Sequence, residues 1–598
     1  MGVPQILLYL MIVIYFASLW KIFEKAGRQK WEGFVPGYNI WVWLKILNKP
    51  WWWIFFFPIP FVNFVITVAC NVETARMFGK YAPKDTILTV LVPWYMIPAL
   101  AYKEENVIVE PTDWTKKDDR EKRSVHDHLT LFFMAPFVGH ALLIVFKLTG
   151  SKDKANKKTM PKEWTDALGF AIVAATIIRV FFFEAFTIPT GSMEKTMLIG
   201  DYLFVNKLKY GAKIPQTPLS VPFVHNRIPG TYAKSYVEWF KNDYMRLPGY
   251  GGIERNDIMV FNWPAGDTVI VHDDAIAHDY YSILRNHAYT MSGQSSYIEF
   301  DKIKDVMMTR AREHIASGGA LYGNPSGGAP ITKTGGVMSH PVDKKENYIK
   351  RCVAVGGDTI EIINGTIHIN GFAEEIPEYA QYNYWFYFKN YEAAIPFSDE
   401  YLYENYEIYP SGIQRGEIEV GDSLIGVKKV NVMIMPCSNR IASELASLVG
   451  VDSASVIWEK KGTDVGYASI FPNDISIDWT KDNFGPLYIP KAGATIELNE
   501  ENYIAYKRAI TAYEGNTLEK EGDAYLLNGV VATKYTFKQN YYWLMGDNRH
   551  GSADSRYWGY VPEDHVVGTA SFVWFSKTAE KGWFDGGVRW SRIFSFIK

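Results

Sequence analysis

The residues with the clearest chemical potential lie in "IPTGSMEKTMLIGDYLFVNK", residues 188–207, directly after a strongly apolar segment. Ser192 follows a Pro-Thr-Gly bend there, where its hydroxyl could serve as a nucleophile. A serine is a weak nucleophile by itself and needs a neighbouring base. Few histidines in this half of the chain have an obvious triad partner, so the sequence favours a Ser-Lys pair over Ser-His-Asp.

Two lysines could supply the base. Lys195 completes an S-x-x-K string, which is typical of penicillin-binding proteins and β-lactamases. A K-T-G string begins at Lys333, but no S-x-N string lies between it and Ser192, so we interpret this match as accidental. The other lysine, Lys350, lies in "ENYIKRCVAVGGDTIEI" and would share one strand face with Tyr348 and Cys352.

Lys350 can act as a base only if its pKa falls from about 10.4 towards roughly 7–8. That shift corresponds to roughly 4 kcal/mol of disfavoured charge, which burial in an apolar site can produce. From this stretch alone, a solvated lysine on a strand is the simpler interpretation.

A third stretch, "YYWLMGDNRHGSADSRYWGYVPEDHVVG", mixes Gly, Asp, Asn, Arg and Ser with aromatic residues and is typical of a tightly hydrogen-bonded loop. Together the three stretches resemble the bacterial type I signal peptidases, membrane-bound Ser/Lys proteases that trim secretory signal peptides. The resemblance spans roughly residues 165–265, 341–372 and 535–576. The front of the chain looks like the multi-span Bacteroidetes version of this enzyme.

The resemblance implies that Ser192 is the nucleophile and Lys350 the general base, with an acyl-enzyme intermediate. It implies that the Ser552 hydroxyl orients the lysine amine. It also implies that the Thr190 hydroxyl and the backbone N–H of Ser192 form the oxyanion hole. The implied reaction is removal of signal peptides from exported preproteins after an Ala-x-Ala type of site.

The resemblance further assigns supporting roles. Two ion pairs would brace the site, Asp554 with Arg556 and Arg351 with Asp547. The shallow substrate pockets would be lined by Ile188 and Ile349.

Two departures from the family pattern stand out. His550 and Gly551 replace an Asp-Asn pair that is frequent in the family, and we interpret His550 as a surface histidine with little effect on the site. The alternative is that its imidazole adds a pH dependence near ~6.5. About 170 residues are inserted between Asp358 and Gly546, which is longer than a minimal member of the family would need.

Composition excludes several classes of function. A net charge of −3 and a sequence pI near 6.5 do not suggest a nucleic-acid partner. We find no metal-binding or nucleotide-binding motif and expect no cofactor. Of the three cysteines, Cys70 ends an apolar run, so at most one bridge, between Cys352 and Cys437, could form within the chain.

Apolar runs predict a multi-span membrane region over residues 1–164. The predicted spans lie near residues 6–20, 51–70 and 86–102, a final anchor covers 165–187, and 129–146 is predicted to be re-entrant or interfacial. Basic residues after the first span place its C-terminal end in the cytoplasm, so everything from Pro189 onward should face outward. We therefore expect a multi-pass protein of the bacterial inner membrane, with its catalytic domain on the periplasmic side. Its expected partners are secretory preproteins and the lipid bilayer; an export translocon cannot be derived from the sequence.

The predicted fold is an N-terminal α-helical transmembrane region followed by a mostly β exterior catalytic domain. The first part of that domain is predicted over 188–372, with a loop insertion at 271–345, and the last part over 535–598. An inserted β-rich subdomain is predicted over 373–534. Hairpin turns are predicted at Asn364-Gly365 and Asn528-Gly529, and the main helix candidate outside the membrane region is Ile298 to Ile315.

Overall fold

The computed structural model describes residues 14–15, 17–35, 37–57, 62–80, 82–109, 171–172, 175–422, 426–462, 470–578, 581–582 and 586–597. These residues form two compact units, 1–177 and 178–598.

The described part of the first unit is helical. Residues 17–25 form a helix, and four more follow: α1 (Tyr38–Ile46), α2 (Val62–Met77), α3 (Pro83–Leu91) and α4 (Pro93–Tyr102). Their core is apolar and includes Ile22, Phe23, Leu44 and Ile97. Polar contacts within it include the Tyr15 hydroxyl donating to Asn71 and the Trp43 indole N–H donating to Thr74.

The predicted membrane spans are not confirmed as single helices. No single helix among the described residues is long and apolar enough to cross a membrane; one pair, Lys84–Val90 with α4, meets that test jointly but is bent by 113°. The bend falls at Pro93, which has no N–H to continue a helical ladder. The predicted span 51–70 starts as a 3₁₀ helix, Trp51–Phe56, and α2 begins only at residue 62. The predicted segment 129–146 lies outside the described residues.

The predicted final anchor, residues 165–187, extends beyond the end of the observed helix. The helix that precedes strand β1 (Phe183–Thr187) ends at residue 181. Glu184 on this strand is buried and pairs with both Arg179 and Lys207. This ion-paired carboxylate and the strand pairing explain why the apolar run does not continue as helix.

The second unit is mostly β structure, as predicted. Its strands are β1 (Phe183–Thr187), β2 (Asp201–Asn206), β3 (Ile258–Asn262), β4 (Thr268–Ile270), β5 (Val337–Ser339), β6 (Asn347–Ala354), β7 (Thr359–Ile363), β8 (Thr366–Ile369), β9 (Phe372–Ala373), β10 (Gln381–Phe388), β11 (Gln414–Asp422), β12 (Gly426–Ser438), β13 (Val451–Val456), β14 (Phe484–Tyr488), β15 (Thr495–Glu497), β16 (Leu518–Glu521), β17 (Ala524–Leu527), β18 (Val530–Val531), β19 (Lys534–Thr536), β20 (Tyr541–Met545), β21 (Val561–Pro562), β22 (Val566–Ser576) and β23 (Ser595–Phe596). Its helices are α5 (Tyr280–Ser292), α6 (Tyr297–Asp301), α7 (Lys304–Ala316), α8 (Tyr391–Ala394), α9 (Asp399–Tyr406), α10 (Asn439–Ala446), α11 (Glu500–Arg508) and α12 (Ser555–Trp558).

The main sheet has the order β1-β2-β22-β3-β6-β20-β21, with β23 added to β22. The three stretches singled out in the sequence all contribute to it: the first follows β1 directly and supplies β2, the second supplies β6, and the third supplies β20 and β21. A second sheet, β14-β7-β8-β9, packs into a large apolar core with β20. Both predicted hairpin turns are confirmed, with Asn and Gly at positive φ between β7 and β8 and between β17 and β18.

Residues 271–345 were predicted as a loop, and this is wrong. They contain α5, α6 and α7, which share an apolar core with Leu284, Ala288 and Ala311 fully buried. The predicted helix from Ile298 to Ile315 is confirmed in type but is split between α6 and α7. The sequence offered a further signal that was missed: Asp279 caps the start of α5, and Gly293 ends it in a left-handed conformation.

The predicted boundaries of the inserted subdomain also need correction. Residues 381–456, here called the inserted subdomain, form the sheet β11-β12-β10-β13 with α9 and α10 and have their own core. Residues 470–537 instead pack with β7 and β8, because β14 pairs with β7 and Phe484 lies in that core. The three cysteines are free and buried, and Cys352 and Cys437 lie in separate cores, so the bridge weighed in the sequence is not formed.

Gly200 provides a test of how tightly the serine-bearing segment fits the main sheet. Its φ is +87°, and an added Cβ would lie 1.9 Å from the Lys577 carbonyl oxygen. We expect Gly200→Ala to lower the free energy of unfolding by about 2–5 kcal/mol, from left-handed strain plus a main-chain clash. The matched control is Gly293→Ala, at φ +67° with open space around it, which should cost about 1 kcal/mol. Equal losses for the two variants in denaturant unfolding would contradict the packing described here.

Candidate active site

Ser192 lies on a short turn that is fixed at both ends. Gly191–Met193 form one 3₁₀ turn, and the Glu194 N–H donates to the Gly191 carbonyl at 3.1 Å. The Met193 side chain is completely buried and acts as the anchor of the turn. Ile188, just before the turn, is held in extended pairing by a 2.9 Å bond from its N–H to the Asp201 carbonyl. The half-buried Ser192 is therefore presented by a rigid segment.

Lys350 is the side chain that meets Ser192. It lies on β6, opposite Met259 of β3, and its amine donates to Ser192 Oγ at 2.9 Å and to the Ile349 carbonyl at 2.9 Å. The predicted strand face is confirmed, because the Lys350 amine lies over the Tyr348 ring and Cys352 is buried in the cluster that Tyr348 packs against.

The environment of Lys350 disfavours its charged form. The residue is only 2% exposed, and this burial lowers the pKa of the amine to about 8, although the carboxylates of Asp554 and Asp547 act in the opposite direction. Roughly one molecule in ten would then carry a neutral Lys350 at pH 7. A neutral amine within hydrogen-bonding distance of a hydroxyl can accept its proton.

The loop formed by residues 546–556 supports the serine turn from the other side. Asn548 donates twice, from its backbone N–H to the Ser192 carbonyl and from its side chain to the Gly191 carbonyl, both at 3.1 Å. The Asp547 N–H contacts Met193 Sδ at 3.4 Å. Gly546 allows this approach, since an added Cβ would lie 2.5 Å from the Ser192 carbonyl oxygen and 2.2 Å from Ser552 Oγ.

Two buried ion pairs brace this loop. Arg351 binds Asp547 through two hydrogen bonds of 2.9 and 2.7 Å, and Arg556 binds Asp554 through two of 2.8 Å. Burial alone would raise the pKa of the Asp554 carboxyl, but the charge and hydrogen bonds of Arg556 outweigh it and hold that pKa below its usual value. Arg351 does the same for the pKa of Asp547. The structure thus brings together both pairs that the resemblance had implied.

Ser552 lies in the loop that packs against the Ser192 turn, but its predicted hydrogen bond to Lys350 is not formed. Its hydroxyl donates to the Ala553 carbonyl at 3.4 Å, and the described residues include no bond between Ser552 and Lys350. Two of the three N–H groups of a protonated Lys350 are used by Ser192 and Ile349, which leaves one available. The orienting role of Ser552 therefore stays a prediction.

Thr190 lies at the start of the turn in an extended conformation and is exposed. Within the described part of the chain, neither its hydroxyl nor the Ser192 N–H donates to a protein acceptor. Both donors are thus available for a carbonyl oxygen. The two residues predicted to line substrate pockets belong to one apolar cluster, in which Ile188 is buried and Ile349 partly buried.

Lys195, the competing candidate base, points elsewhere. Its amine donates to the carbonyls of Tyr406 and Glu407, at 2.5 and 3.0 Å, in the inserted subdomain. The structure therefore places Lys350, and not Lys195, against Ser192.

His550 is not a surface residue as predicted. Its side chain is 4% exposed, and Nε2 lies 2.9 Å from Asp482 while Nδ1 accepts the N–H of Asn383 at 3.1 Å. It therefore joins the 546–556 loop to the inserted subdomain.

Sequence analysis also missed Asn548, whose position beside Asp547 gave no signal of its contact with the serine turn.

Comparisons with known proteins match two parts of the chain. A family described as signal peptidase, peptidase S26, matches residues 161–400 and 489–575, and a family of unknown function, DUF5684, matches residues 31–111. A signal peptidase I of Haemophilus influenzae is 31% identical over 103 residues, which are 17% of this chain and 29% of that protein. One of Buchnera aphidicola subsp. Schizaphis graminum is 33% identical over 119 residues, 18% of this chain and 38% of that protein. One of Rickettsia prowazekii is 28% identical over 172 residues, 26% of this chain and 58% of that protein. The chain thus spans less than two thirds of the length of each of these relatives.

The buried amine makes a prediction about stability. Because the pKa of Lys350 is about 8 when folded and 10.5 in its ordinary state, the unfolded chain binds more protons between those values, and this residue's contribution to stability rises with pH across that window. Lys350→Met should therefore be more stable than the parent protein at pH 7, by up to about 3 kcal/mol, with the difference shrinking above pH 8. The control is Lys538→Met, at an exposed lysine. If Lys350→Met unfolds more easily at pH 7 than the parent protein and the Lys538→Met control, burial of the Lys350 amine does not carry the expected cost.

Proposed function

Because the chain belongs to the signal peptidase S26 family, we propose that it is a membrane-bound serine endopeptidase that removes N-terminal signal peptides from exported preproteins. The observation that carries the proposal is the 2.9 Å contact between the Lys350 amine and Ser192 Oγ, in surroundings that lower the pKa of the amine.

The reaction begins with neutral Lys350 accepting the proton of Ser192 while Oγ attacks the scissile carbonyl carbon. The oxyanion that forms receives hydrogen bonds from the Thr190 hydroxyl and the Ser192 N–H. The lysine ammonium then protonates the leaving amine, which breaks the peptide bond and leaves an acyl-enzyme. In the second half, Lys350 accepts a proton from water, hydroxide adds to the ester, and Ser192 departs with the proton returned.

Substrate preference follows from the family resemblance and from what surrounds the turn. Small residues at the first and third positions before the cut, the Ala-x-Ala pattern, suit pockets lined by Ile188 and Ile349. Both side chains pack into the same apolar cluster as Met193, so the pocket walls and the serine turn are parts of one packed unit.

We further propose a location in the bacterial inner membrane, with the catalytic unit on the outer, periplasmic side and the N-terminal region crossing the bilayer more than once. The apolar runs and the basic segments between them support this proposal. A signal peptide lies in the membrane with its cleavage site just outside, so a nucleophile close behind a membrane segment is in the right place. Preproteins and the bilayer are then the partners, and an export translocon is compatible with the same location.

The direct test is cleavage of a preprotein with an Ala-x-Ala site by the full-length protein in detergent. We expect Ser192→Ala and Lys350→Ala each to lower kcat/KM by at least about 10³-fold, because the two groups act as a unit. Ser443→Ala and Lys538→Ala, at exposed positions, serve as controls and should cut normally. Normal cutting by Lys350→Ala would place the base elsewhere, and no cutting by the parent protein would reject the proposed function.

The lysine base also predicts a pH dependence. The amine is active only when neutral, so kcat/KM should rise about tenfold per pH unit below pH 8 and level off above about 8. Initial rates between pH 6 and 9.5, at substrate concentrations well below KM, measure this profile. A rate that is flat from pH 6 to 8 would show that the base is not an amine of this pKa.

A further inference from the structure

Lys195, which follows Ser192 closely in the sequence, has an unusual backbone conformation. Its φ is +72°, in the left-handed region that residues other than glycine seldom occupy. Such a conformation persists when surrounding contacts hold it in place. The Lys195 side chain itself is only 10% exposed.

The contacts come from the inserted subdomain. The Lys195 amine donates to the carbonyls of Tyr406 and Glu407, where α9 ends, and lies 3.6 Å from the Glu407 carboxylate. Carbonyls at the end of a helix lack partners within the helix and carry partial negative charge, so a cation is favourable there. The serine turn is thereby tied to a helix more than 200 residues further along the chain.

Helix α9 is itself well anchored. Leu402 is completely buried in the core of the inserted subdomain, and Ser398 caps the first turn of the helix by accepting the Tyr401 N–H. The carbonyls that Lys195 binds therefore belong to a packed element and not to a free loop.

The inserted subdomain also holds the opposite side of the active site. The Gln381 N–H donates to the Asp547 carbonyl and the Arg549 N–H donates to the Gln381 carbonyl, both at 2.8 Å. The Asn383 N–H adds the bond to His550. One subdomain thus binds the serine turn through α9 and the 546–556 loop through β10, and that loop contacts Ser192 and Gly191 through Asn548.

We propose that Lys195 is a positioning residue through which the inserted subdomain keeps Ser192 within reach of Lys350. The inference rests on the proposed Ser/Lys reaction and deepens it. Lys195 does not contact the reacting atoms; it restrains the turn that carries them. The inserted subdomain then affects catalysis although it supplies neither of the two reacting residues.

The first measurement is amide hydrogen exchange of the segment 188–197 in the full-length protein, which does not depend on activity. We expect Lys195→Met to exchange at least about tenfold faster in this segment, because the turn opens locally without its clamp. Lys195→Arg keeps a cation near the helix end and should restore most of the protection. The matched control is Lys461→Met, which removes a lysine that donates to the Gly485 carbonyl at 2.9 Å.

The second measurement is cleavage kinetics with the same four proteins. Lys195→Met should lower kcat roughly 10- to 100-fold with KM changed less than about twofold, because a small displacement of the nucleophile affects the chemical step more than binding. The pH profile should keep its plateau above about 8, since Lys350 remains the base. Lys195→Arg should recover most of kcat, and Lys461→Met should behave as the parent protein.

Unchanged exchange over 188–197 in Lys195→Met would overturn the proposal, as would equal losses of kcat in Lys195→Met and Lys461→Met. Loss of the pH dependence in Lys195→Met would also overturn it, because that result would make Lys195 a base. If the parent protein cleaves no preprotein, the proposed function fails, and the exchange measurement still decides whether Lys195 holds the turn.

Discussion

The rest of the second unit depends on one energetically unfavourable feature, the burial of the Lys350 amine beside Ser192. An ammonium ion removed from water is strongly destabilised unless it is paired. At Lys350 the nearest hydrogen-bond partners are a hydroxyl and a carbonyl, both neutral, and the carboxylates of Asp547 and Asp554 are occupied by arginines. Burial with so little compensation lowers the pKa of the amine, as the proposed role of Lys350 as a base requires.

Such an amine must be held by a framework that does not relax around it. Three parts of the chain meet at the site: β6 carries the lysine, the turn after β1 carries the serine, and the loop after β20 packs against the serine turn, with Gly546 close to the Ser192 carbonyl. The bidentate ion pairs of Arg351 and Arg556 fix that loop from inside the core. The inserted subdomain then contacts the outer side of both the serine turn and the loop, so its sheet and helices are structurally continuous with the site.

The sequence could predict the site better than the framework because the two carry different kinds of signal. Ser192, Lys350 and both ion pairs lie in short stretches of unusual composition, and the resemblance tied those stretches together. The helix α5 was missed because its buried positions, which include Tyr280, Leu284 and Ala288, are interspersed with polar residues and do not form a plain apolar pattern. Residues 470–537 were assigned to the wrong core because the alternating pattern of a strand does not show which core the strand joins. His550 and Lys195 could not be assigned from sequence, since their partners lie 68 and 211 residues away.

The connectivity of the main sheet has a consequence for when the enzyme can first work. β2, next to the serine turn, pairs with β22 near the end of the chain, and Thr196 bonds to Asp547 across 351 residues. Contacts of such long sequence separation close slowly, because a large loop must be ordered before they form. Ser192 is therefore synthesised long before these partners, and a nascent or truncated chain that ends before β22 would carry it without a completed sheet around it. The hydrolytic activity proposed for this chain would accordingly depend on synthesis of the polypeptide through β22, the strand that completes the sheet beside β2.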